Sequence, residues 1–138
     1  MIKKFKLFEL NNFKNLKDDI NGILVELKDI GYNIRTYWLY DDGSLSGGDT
    51  FSFIISKGGE EGFLVNGVKD YLDTCIDYMD LYYKYKTEVN YKPVYSNREL
   101  NLTYKELEDI LYHANLIGGN LHFNVKTIVL IFTDISKK

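Results

Sequence analysis

Cysteine and proline are almost missing from this chain: Cys75 and Pro93 are the only ones among 138 residues. One cysteine cannot close an intramolecular disulfide, and such usage fits a reducing compartment. A basic patch is also missing. Seventeen Lys and Arg stand against 20 Asp and Glu, a net charge of −3, which disfavours binding to a nucleic-acid backbone. The longest apolar run lies within 127–132 and reads as a strand, far short of a membrane span. Lys3, Lys4 and Lys6 are followed by alternating residues rather than the apolar run of a signal peptide. A cytoplasmic protein without a membrane partner is therefore expected. No P-loop, HExxH or paired-cysteine pattern occurs. No cofactor and no metal are expected, and binding is favoured over catalysis.

The chain does carry abundant apolar and aromatic residues, 45% and 15%. Those fractions argue for a well-filled core and against disorder. A chain of this length suggests one domain, 1–138, able to fold without a disulfide or metal. Twelve tyrosines form a surplus. Tyrosine pairs an apolar body with a polar tip and suits half-buried positions and interfaces.

Periodicity orders the elements. Residues 3–9 alternate as a short strand, and Asn12 or Asn15 offers a helix cap. Leu16, Ile20, Ile23, Leu24 and Leu27 follow at helical spacing, and Gly31 supplies the C′ residue. Residues 32–40 and 50–56 read as a hairpin around a Gly-rich turn, with 63–65 as a short further strand. The next helix is predicted over 68–86. Residues 87–102 read as a loop or edge strand because of Pro93. Thr103 and Glu106 form a capping box for the last helix, with Leu107, Ile110, Leu111 and Ala114 facing the core. The strand 121–133 should turn Leu121, Phe123, Val125, Val129 and Ile131 to one face. The order implies an α+β fold: an antiparallel sheet of four or five strands with helices packed on one face. With a strand at 3–9 the path resembles a ferredoxin-like plan with an inserted helix.

The helix at 68–86 carries the main candidate site. Asp70, Asp73, Asp77 and Asp80 recur every three or four residues and share one side. Val68, Tyr71, Leu72, Cys75, Met79 and Tyr82 form the opposite, core-facing stripe. The ordinary reading of such a charge run is a solvated face; the functional one is a docking surface for a basic partner. Tyr82, Tyr83, Tyr85, Tyr91 and Tyr95, interleaved with Lys84, Lys86 and Lys92, are the second candidate. They suit a subunit interface and a homo-oligomer. The alternative is a nucleotide or small-ligand site, binding or enzymatic, across 82–98 with Arg98 beside the ligand. His113, Asp109, Glu106 and His122 are candidate metal ligands, but their spacing matches no established pattern. Cys75 lies on the apolar stripe and reads as a small hydrophobe rather than a nucleophile.

The run from Ile23 through Glu26, Gly31 and Asn33 to Ile34, with the Lys, Asn, Ile and Tyr bias, resembles small accessory proteins of tailed phages with AT-rich genomes. Some phage anti-CRISPR proteins are similar in their order of helix, hairpin and acidic helix. The resemblance implies a host-takeover, anti-defence or virion-accessory protein that works by binding. It carries no site residues. The expectation is a protein-binding module acting through the acidic helix face, with a structural virion component as a further alternative.

Overall fold

A computed structural model describes residues 16–39, 50–58, 61–94, 96, 98–116 and 124–135. Helix α1 (Leu16–Asp29) leads through Gly31 into strand β1 (Tyr32–Leu39), which pairs with β2 (Thr50–Lys57). The short β3 (Phe63–Leu64) and a 3-10 turn (Val65–Gly67) precede α2 (Lys69–Tyr82). Then come β4 (Tyr85–Pro93), β5 (Leu100–Leu102), α3 (Tyr104–Leu116) and β6 (Asn124–Asp134). All neighbouring strands are antiparallel, in the order β1-β2-β6-β4-β5, with β3 pairing β6 beyond the end of β2. The fold is α+β, as expected, and among the described residues its sheet has six strands. The predicted strand at 3–9, the caps Asn12 and Asn15, and the Gly-rich turn lie outside the described residues.

The register explains the core. Phe51, Phe132 and Thr87 form one cross-strand row; Phe53, Leu130 and Val89 the next; Ile55, Ile128 and Tyr91 the third. Period-two alternation puts all three rows on one face of the sheet. All three helices bury into that core: Leu16, Ile20, Leu24 and Leu27 from α1, Leu72, Cys75 and Met79 from α2, Tyr104, Leu107 and Leu111 from α3. Gly31 takes φ +107°, which only glycine adopts without strain, and turns the chain from α1 into β1. The capping box forms as read: Glu106 N–H donates to Thr103 Oγ1 at 3.1 Å, and Thr103 N–H to Glu106 Oε1 at 2.9 Å.

Several readings of the elements need correction. The second helix stops at Tyr82 rather than at residue 86, because residues 85–93 alternate and pair along β6. This stretch is an interior strand, not a loop or edge. Pro93 is accommodated at its last position, where the β4–β6 register slips. That slip also overturns the expected face of the last strand. Lys92 and Pro93 stand opposite Thr127 and Val125, so β6 carries one extra residue there. A bulge of one residue moves every later side chain to the other face. Ile128, Leu130 and Phe132 therefore join Val125 in the core, while Val129 and Ile131 point to the opposite face. Leu121 and Phe123 lie outside the described residues. On α3, Tyr104 takes a core position and Ile110 is 39% exposed.

Candidate functional site

Helix α2 is tied to three neighbours by its own acidic and tyrosine residues. Toward α3, Tyr104 Oη donates to Asp73 Oδ1 at 2.6 Å. Lys69 Nζ pairs with the same oxygen at 2.6 Å and with Glu108 at 3.3 Å, and lies 5.4 Å from the Tyr104 ring centre. Toward α1, Tyr71 Oη donates to Glu26 at 2.8 Å, and Tyr78 Oη donates to Asp19. Toward β4, Tyr85 Oη donates to Asp80 at 2.6 Å. Phenols thus satisfy four carboxylates, and this accounts for part of the tyrosine surplus. Each bond pairs a strong donor with a charged acceptor.

The electrostatics follow from that geometry. Burial, reinforced by the neighbouring carboxylate, pushes the phenols of Tyr78, Tyr85 and Tyr104 above the ordinary tyrosine value. Burial opposes charge on Lys69, but the bonds and charges of Asp73 and Glu108 outweigh it and hold the ammonium above the usual lysine value. Burial pushes the Cys75 thiol up to about 12, so it stays protonated and unreactive at neutral pH.

The structure divides the predicted aspartate stripe. Asp73 and Asp80 are engaged in the ties just described. Asp70 and Asp77 are exposed, and neither carboxylate has a hydrogen bond or ion pair among the described residues. Thr74 lies between them, and Leu81 continues the same line at 72% exposure. In the sequence the charges of the polar face mask Leu81, whose offset of four from Asp77 is the signal that puts it on this line. The predicted tyrosines are also divided. Tyr82 and Tyr83 gather around Tyr78, with ring centres at 5.2 and 5.8 Å. Tyr85 packs edge-on against Phe132 at 5.6 Å. Tyr91 belongs to the core. Tyr95 lies outside the described residues, and Arg98 is exposed.

Charge is distributed unevenly between the layers. Among the described residues the three helices hold Lys17, Lys28, Lys69 and Lys105 against eleven carboxylates, leaving the helical layer at −7. The strands hold Arg35, Lys57, Lys86, Lys92 and Lys126 against only Glu88 and Asp134. The helical layer is therefore far more acidic than the net charge of the chain. His113 Nδ1 faces the backbone oxygen of Asp109 at 2.8 Å, and Glu106 is committed to the cap. Among the described residues no three His, Cys, Asp or Glu side chains converge on a metal position. No described helix is long and apolar enough to cross a membrane. No family model, no curated protein and no solved structure matches this chain.

Proposed function

We propose that this protein is a non-catalytic, cytoplasmic protein-binding module whose helical layer engages a basic surface on another protein. The observation that carries the reading is the exposed line Asp70, Thr74, Asp77 and Leu81 on α2, within a layer of charge −7. Two unengaged carboxylates steer and orient a cationic partner, while one exposed leucine supplies an apolar anchor. Charge complementarity of this kind acts mainly on encounter rate and on rejection of wrong partners. In this proposal the module inhibits a host or defence protein, the role that its resemblance to accessory phage proteins implies. A homo-oligomeric state belongs to the same proposal. Sedimentation analysis reads it directly, and a monomer throughout the micromolar range overturns that part.

The ligand-binding alternative across residues 82–98 finds less support. Tyr91 is packed in the core, and Tyr82 and Tyr83 pack against Tyr78. The test of the main reading is capture from a bacterial lysate with the wild-type chain and with Asp70→Lys/Asp77→Lys. Both side chains are exposed and make no tie among the described residues, so the variant should keep its circular dichroism spectrum. Its specific captured protein should be lost. Unchanged capture by a folded variant sinks the proposal.

A further inference from the structure

An open cavity of about 770 Å³ lies at one end of β1 and β2, away from the exposed line on α2. Asn33 stands opposite Ser56, and Ser56 opposite Thr127, so three neutral hydrogen-bonding side chains form one cross-strand row. Arg35, two residues along β1, shares their face. Lys28 lines the cavity from the last turn of α1. Acidic residues outnumber basic ones in the chain, yet among the described residues no carboxylate lines this cavity. Among the described residues neither Lys28 nor Arg35 takes part in an ion pair or side-chain hydrogen bond.

We propose that this cavity binds a small phosphomonoester. Two cations match the near-dianionic charge of a phosphoryl group at neutral pH. The planar guanidinium fork of Arg35 suits two phosphoryl oxygens, and Lys28 supplies a point charge. Together with Arg35 and Lys28, Asn33, Ser56 and Thr127 bring more donors than the two oxygens of a carboxylate use, and the three terminal oxygens of a phosphoryl group match them better. Ile54, on the same face as Arg35 and Ser56, supplies an apolar wall for the organic body of the ligand. The volume falls in the range of small-molecule sites.

Thermal-shift titration of the full chain with AMP, inorganic phosphate and succinate tests the site. A ligand that binds only the native state raises the melting temperature saturably. AMP and phosphate should do so, AMP at lower concentration because of the isoleucine wall, and succinate should not. Lys28→Gln and Arg35→Gln should each weaken the titration midpoint roughly ten-fold or more, the effect of losing a charged hydrogen-bonding partner. Lys105→Gln, exposed on α3, should leave it unchanged. Circular dichroism checks each fold; should Arg35→Gln fail to fold, Ser56→Ala and Lys28→Gln make the same comparison. Absence of a saturable shift overturns the proposal. So does a shift that survives the cavity substitutions, or an equal response to succinate.

Discussion

Asp73 accepts hydrogen bonds from both Lys69 and Tyr104, whereas Asp77, one turn further along the same helix, has no such bond among the described residues. Two aspartates that look equivalent in the sequence therefore differ in what their removal does. Tyr104→Phe keeps the apolar ring in the core but strips one donor from Asp73. It should cost about 1–2 kcal/mol, read as a shift of the urea midpoint. Asp77→Asn should change that midpoint by less than about 0.5 kcal/mol. Equal effects of the two substitutions would remove the distinction. The raised phenols and thiol set an alkaline limit. Tyr78, Tyr85 and Tyr104 hold their protons in the folded chain above the ordinary 10.0, and Cys75 holds its proton up to about 12 against an ordinary 9.0. Between the unfolded and folded values the unfolded chain has released protons that the native state retains. The stability tied to these groups is thus fully present below about pH 9 and is lost as the pH rises. Urea unfolding at a series of pH values should show stability falling above about pH 9; a curve that stays level to about pH 11 contradicts the assignment.

At the scale of the element, the last strand shows how one residue redirects eight others. The extra residue in β6 opposite the Lys92–Pro93 step lets Val125 and Ile128 both reach the core. Gly62 sits against this place. It takes φ +69°, and a Cβ there would meet the Val125 carbonyl oxygen and Val94 Cγ2 inside contact distance. Gly62→Ala should destabilise the fold by about 1–3 kcal/mol, from left-handed strain together with overpacking. A change below about 0.5 kcal/mol would mean that the backbone moves aside freely. The capping box at α3 was legible in the sequence because both of its bonds lie within four consecutive residues, 103–106. The face of β6 was not, because alternation in a strand carries no mark of a bulge that forms only against a partner.

Over the whole molecule, an acidic helical layer covers a sheet whose strands lean basic. Partner binding through the helical layer should weaken as salt rises, since exposed charges are screened over roughly 10 Å at about 0.1 M ionic strength. The association rate should fall more than the dissociation rate rises. Surface plasmon resonance of the captured partner at two salt concentrations reads both constants, and a rate of association indifferent to salt argues against steering by α2. Twelve tyrosines take on separate duties here. Among the described residues some tie helices together through carboxylates, Tyr91 and Tyr104 bury into the core, and none of these duties is encoded by spacing alone.

By itself the amino-acid sequence determined the helices, the first hairpin, the turn at Gly31 and the α+β class. Each rests on periodicity or on bonds between residues a few positions apart, where local backbone preference and burial agree. Only the tertiary structure decided which aspartates are engaged, because Asp73 meets Tyr104 from 31 positions away and Asp80 is bound by a tyrosine of the next strand. It alone also decided that residues 85–93 run through the sheet interior and that β6 turns Ile128, Leu130 and Phe132 inward beside Val125. Those outcomes depend on pairing between distant strands, where the hydrogen bonds and buried area of the partner outweigh what any short stretch prefers on its own.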